Sequence, residues 1–194
     1  MKNLWKGFVV ASVGALLVLP QAMDTLAEDT KEKPKLKAER DPAQLRQRLE
    51  REVRHELVML PYYDVFDNLT FRVDGSHVIL SGQVVRPTLK SSAENVVKGI
   101  EGVEKVTNNI EVLPLSSNDD RIRAAVYRAI YSHSALQQYS LRAVPPIHII
   151  VKNGNVTLEG VVARESDKNI ANIQANGVSG VFSVTNNLRV EEKK

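Results

Sequence analysis

Slid against itself by 78 residues, the chain brings Leu69–Val112 onto Ile147–Val190 without a gap, and 16 of these 44 positions are identical. Composition alone gives about two or three such matches, so this is a duplicated unit. The identities are spaced as a fold would space them: Val78, Leu80, Gly82 and Val84 with Val156, Leu158, Gly160 and Val162, then Gly102-Val103 with Gly180-Val181, then Thr107-Asn108-Asn109 with Thr185-Asn186-Asn187. A chain of 194 residues built this way must form two similar small units, each with its own modest core.

Each copy carries the same order of patterns. Leu69, Phe71 and Val73 alternate up to Asp74-Gly75-Ser76-His77, and Val78, Leu80 and Val84 resume the alternation. Ile147, Ile149 and Val151, then Asn153-Gly154, then Val156, Leu158 and Val162 repeat the scheme. Period two around a glycine-containing turn predicts a β-hairpin. Ala93, Val96, Val97 and Ile100 mark the apolar face of a following helix, as do Ala171, Ala175 and Val178, and a third strand is expected over 103–112 and 181–190. Upstream, Leu45, Leu49, Val53 and Leu57 predict one helix, and Ile122, Ala125, Val126, Ala129 and Ile130 another, with Asn118 as N-cap and Asp119 and Asp120 favoured by the helix dipole. The expected fold is α+β: two tandem αββαβ domains, each a three-stranded mixed sheet packed on two helices.

Ahead of the repeat, Lys2 and Lys6 precede the uncharged run Gly7–Leu19, too short to span a bilayer and laid out as a signal peptide ending at Thr25-Leu26-Ala27. Retention as an N-terminal anchor is the alternative. Five acids and five bases fill 28–41, a composition that cannot bury a core. The expected divisions are therefore a signal at 1–27, a charged linker at 28–42, and domains at 43–114 and 115–192.

The hairpin motifs Val78-Ile79-Leu80-Ser81-Gly82-Gln83-Val84 and Val156-Thr157-Leu158-Glu159-Gly160-Val161-Val162, each followed by a helix and a Gly-Val strand entry, resemble the BON (bacterial OsmY and nodulation) domain family. The tandem behind an export signal resembles the OsmY-type periplasmic members. That resemblance implies no enzymatic activity, no cofactor, and binding of anionic phospholipid surfaces or envelope proteins, often in osmotic or envelope stress. The second copy departs from the first by about five extra residues within 134–146.

Composition excludes several chemistries. There is no cysteine, hence no disulfide, thiolate nucleophile or thiolate-bound metal. A net charge of +3 from 26 bases and 23 acids leaves no nucleic-acid footprint. His55, His77, His133 and His148 form no metal-ligand spacing, with His77 in a turn and His148 on the outward register of its strand. Gly82 and Gly160 sit mid-strand, where glycine marks a bulge or a close backbone approach, here read as packing of the following helix. The Thr-Asn-Asn triplets are read as satisfying a bulge or strand entry.

The candidate binding face lies on the second copy's first helix. With Ile122, Val126, Ala129 and Ile130 inward, Tyr127 and Tyr131 stack at i, i+4 on the opposite face, with Arg121, Arg123 and Arg128 to either side. Rings flanked by arginines suit a headgroup interface, and equally docking against the first copy or an ordinary solvent face. Residues 45–113 carry nine bases and ten acids and 114–194 ten and seven, which favours the second copy as the one facing anionic lipid.

Overall fold

The computed structural model describes residues 42–192. The expected signal peptide and nearly all of the charged linker lie outside the described residues. The first copy runs α1 (Pro42–Val58), β1 (Asn68–Asp74), β2 (His77–Val84), α2 (Pro87–Lys98), β3 (Lys105–Asn108) and β4 (Glu111–Val112). The second repeats it as α3 (Ser117–Tyr131), β5 (Ile147–Lys152), β6 (Asn155–Val162), α4 (Glu165–Asn176), β7 (Ser183–Asn186) and β8 (Arg189–Val190), with a short 3₁₀ turn at Gln137–Leu141 before β5. This is the αββαβ order expected, twice over.

In each copy the hairpin is antiparallel and its second strand takes the last strand in parallel, so β2 and β6 are central. The two ladders share one register: Phe71 faces Leu80 as Ile149 faces Leu158. The last strand is not continuous as expected but breaks at Asn109-Ile110 and Asn187-Leu188, and resumes as β4 and β8 on the same central strand. The preceding asparagine explains the break. Asn108 Nδ2 donates to Lys90 O at 2.9 Å while its Oδ1 accepts from Ile110 N at 3.1 Å, and Asn186 does the same with Lys168 O and Leu188 N at 2.9 and 3.2 Å. The triplets thus fasten helix to sheet where the ladder lapses, and Ile110 and Leu188 turn into the core.

Leu49, Val53 and Leu57 of α1, at four-residue spacing, meet Val73, Val78, Leu80 and Val84 of the sheet and Leu89, Ala93 and Val97 of α2 in one buried cluster. The second core places Ile122, Val126 and Ile130 of α3 in the same roles over Ile147, Ile149, Val151, Val156, Leu158 and Val162. The N-cap of α3 is Ser116 rather than Asn118: its Oγ accepts from Asp119 N at 3.1 Å. Asp119, only 1% exposed, instead accepts from Asn153 N and Gly154 N, both at 2.9 Å, and so ties the helix start to the β5–β6 turn.

The extra residues of the second copy pack inward. Leu136 and Tyr139 join its core, and the Tyr139 hydroxyl donates to the buried Asp167 at 2.6 Å while accepting from Ala163 N at 2.8 Å. In the first copy Leu89 occupies the place of Asp167, and the equivalent amide, Val85 N, is met by Asp67 Oδ1 at 2.8 Å.

Candidate functional site

The Tyr–Arg face of α3 is largely consumed inside the protein. Tyr127 and Tyr131 do stack, with ring centroids 4.8 Å apart. Tyr131, however, is buried: its hydroxyl donates to Ile147 O at 2.7 Å and accepts from Ile147 N at 3.3 Å. Arg123 is buried too, its Nη2 donating to Val151 O at 2.7 Å and its Nη1 paired with Asp120. Both were expected on an exposed face. The α3–β5 contact is wider than a four-residue apolar stripe, and the strand carbonyls supply acceptors that let a phenol and a guanidinium enter it. Arg121, whose Nη2 is held by Asn118 Oδ1 at 2.8 Å, and Arg128 remain exposed.

Tyr127 is half-buried because the first copy reaches it. The segment after α1 crosses to the second copy: Val65 enters the second copy's core, and Phe66 packs edge-on against Tyr127 with centroids 6.1 Å apart. The Val65 carbonyl accepts from Ile149 N at 2.8 Å, a single ladder-like bond on the outer edge of β5. Tyr63 stacks on His148 at 5.7 Å, and Lys152 pairs with Glu111. His148 is on the outward register of β5 as expected, but that face is covered by the first copy. Burial holds its imidazole below the ordinary histidine range, opposed by the nearby carbonyls of Asp67 and Asp64 and by the charges of Asp64 and Glu159. Burial also pushes Asp67 up to about 6 and Tyr63 up to about 12. Tyr127 thus packs against a ring of the first copy.

The glycines act through backbone geometry. Gly82 and Gly160 have φ of +114° and +124°, and a Cβ there would run into the carbonyl oxygen of Asn68 or Pro146. The obstacle is the paired strand, not the following helix as expected. Gly102 and Gly180, both at φ +92°, make the turn after α2 and α4, where the positive φ rather than a lack of space calls for glycine. His77 opens β2 rather than lying in the turn, and its Nε2 is 2.9 Å from Thr107 Oγ1. Among the described residues, no group of three or more His, Asp or Glu is placed to hold a metal ion, and no helix is long and apolar enough to cross a membrane.

Beside the seam runs a cleft of about 620 Å³. The first copy contributes Arg54, Leu57, Val58, Leu69 and Phe71, and the second Arg142, Pro146, Glu159, Val161 and Arg189. Arg54 lies over the Phe71 ring, 5.6 Å from its centroid. No sequence period marks this cleft, since it belongs to neither copy alone; the unrepeated Asp64-Val65-Phe66-Asp67 was the available signal.

Two αββαβ units with a positive-φ glycine in each central strand are matched by the family model of the BON domain over residues 45–114 and 118–192. The chain belongs to the BON domain family. Among solved structures, the C-terminal domain of CdsD, the structural protein of the type III secretion system of Chlamydia trachomatis, is similar at 13% identity over 74% of this chain and 98% of that one, with a TM-score of 0.27. A second structure of CdsD is similar at 14% identity over 75% and 94%, also with a TM-score of 0.27. No curated protein matches the chain. In this BON pair the first copy contributes Val65 to the core of the second.

Proposed function

We propose that the protein is an exported, non-enzymatic adaptor of the cell envelope, periplasmic, whose second BON copy engages anionic phospholipid surfaces in osmotic or envelope stress. One observation carries this reading: apolar groups project into solvent on the second copy where the first is polar. Phe182 is 86% exposed and Ile173 64%, and Val161 is also exposed, while the corresponding first-copy residues are Glu104, Asn95 and Gln83. With Tyr131 and Arg123 buried, the membrane-facing role passes to these residues and to the exposed Arg121 and Arg128. The predicted signal peptide supports export, and the N-terminal residue of the mature protein tests it.

Flotation of the mature chain with vesicles of phosphatidylcholine alone, or with added phosphatidylglycerol, tests the membrane reading. Co-flotation only with the anionic vesicles is expected, and Phe182→Glu with Ile173→Asn, the first-copy residues, should abolish it without moving the melt. No flotation at any composition removes this reading. A second reading, an interaction module whose repeats dock on each other or on a ring-forming envelope protein, is favoured by the Val65–Ile149 seam, which already joins repeat to repeat.

A further inference from the structure

The seam has a counterpart on the first copy. In the second copy the flank between α3 and β5 is closed by Val65 and Phe66, with Ile149 N as donor and Tyr127 as the ring they pack on. Leu49, Val53 and Leu57 stand in α1 as Ile122, Val126 and Ile130 stand in α3, so Arg54 corresponds to Tyr127. Phe71 corresponds to Ile149. Because the two hairpins share one register, the Phe71 N–H points away from β2 as the Ile149 N–H points away from β6. Among the described residues, no backbone carbonyl outside the sheet accepts from it. Leu69 and Phe71 are only partly buried, Val58 is 51% exposed, and all three line the cleft.

The cleft also carries an excess of positive charge. Arg54, Arg142 and Arg189 line it against the single acid Glu159. The segment that closes the other flank is Asp64-Val65-Phe66-Asp67, an apolar pair between two acids. A strand edge, an apolar step and an excess of guanidinium together match a peptide of that same kind.

We propose that the α1–β1 flank of the first copy binds an extended segment of a partner protein, an aliphatic–aromatic pair flanked by acids, which adds beside β1 as Val65-Phe66 adds beside β5. It shares with the membrane reading only Val161, at the rim of the cleft, and neither proposal rests on the other. The peptide backbone would accept from Phe71 N–H, the aromatic side chain would pack at Arg54 and Phe71, and the flanking carboxylates would face Arg142 and Arg189.

The test uses a labelled peptide copying residues 61–69 (PYYDVFDNL) and the full mature chain. Saturable binding by fluorescence anisotropy is expected, with the Phe71 amide shifted in an ¹H–¹⁵N spectrum and the Ile149 amide unmoved. Arg142→Glu, at an exposed residue outside both cores, should weaken binding by about tenfold, and replacing the peptide's Phe by Ala or its two Asp by Lys should weaken it at least comparably. Absence of binding at millimolar peptide overturns the proposal. So does a shift confined to Ile149, which would mean displacement of the chain's own segment. Competition by phosphatidylglycerol vesicles but not by unlabelled peptide would assign the cleft to lipid and likewise refute it.

Discussion

Replacing Gly82 by alanine isolates the backbone demand at the centre of the first sheet. Gly82 has φ +114°, a conformation that costs a residue with a Cβ about 1–3 kcal/mol. The added methyl would also fall within 3.0 Å of Asn68 O and of its carbonyl carbon, closer than real Cβ atoms come. Both obstructing atoms are backbone of the paired strand, so no rotamer change relieves the overlap; β1 must withdraw at the pairing of Asn68 with Gln83. Losing a ladder bond there adds about 1 kcal/mol. Together these give about 2–4 kcal/mol, toward the severe end for a single methyl. Gly75 is the control: it has φ +60° and nothing within 4 Å of a built Cβ, and the second copy already carries Asn153 there at φ +52°. Gly75→Asn should stay within about 0.5 kcal/mol of the parent. With urea slopes of about 1–3 kcal/mol per molar for small domains, Gly82→Ala should lower the midpoint of the first copy's transition by about 1 M or more. Similar midpoints for the two variants would refute the close-approach account.

Further outcomes follow from the hydrogen bonds and the seam. Tyr131→Phe should cost about 1–3 kcal/mol in chemical denaturation, because it strands the Ile147 carbonyl in the core. Val65→Ala should cost about 1.5–3 kcal/mol and speed amide exchange at Ile149, so a first-copy substitution destabilises the second copy. Asp67, at about 6 in the fold against 3.8 unfolded, favours its protonated form in the native state. Its contribution is therefore fully present below about pH 4 and lost as pH rises through 6. Asp67→Asn keeps an acceptor for Val85 N and removes that dependence, so parental stability should gain on the variant as pH falls from 7 to 4 in paired urea melts.

The sequence announced the repeat unit because its information is periodic. Val73, Val78, Leu80 and Val84 alternate, and Leu49, Val53 and Leu57 step by four, so strand, turn and helix follow from neighbours along the chain. Where periodicity ends, so did legibility. The break after Asn108 rests on a side chain mimicking a backbone group, which no hydrophobic pattern encodes. Tyr131 and Arg123 read as surface because their polar tips are penalised by any apolar pattern, whereas Ile147 O and Val151 O supply partners in three dimensions. The seam was hidden for a different reason. Val65 and Phe66 complete a core some eighty residues downstream, a contact with no local signature. Ser116 caps α3 although Asn118, directly before two acids that suit the helix dipole, fits the cap pattern along the sequence equally well.

The bond from Ile149 to Val65 gives the duplication a direction. Two identical units could be joined in either order or trimmed to one, but here the upstream unit carries the segment that the downstream unit needs to be whole. A permuted gene encoding 115–192 before 43–114 would have to thread the same four residues, Asp64 to Asp67, back across a new linker. A gene shortened to the downstream unit would leave a gap the width of a valine and a phenylalanine beside Tyr127. The donor segment also precedes the acceptor sheet along the chain. The linker between the copies is therefore not a neutral place to cut, because part of the downstream core lies upstream of it.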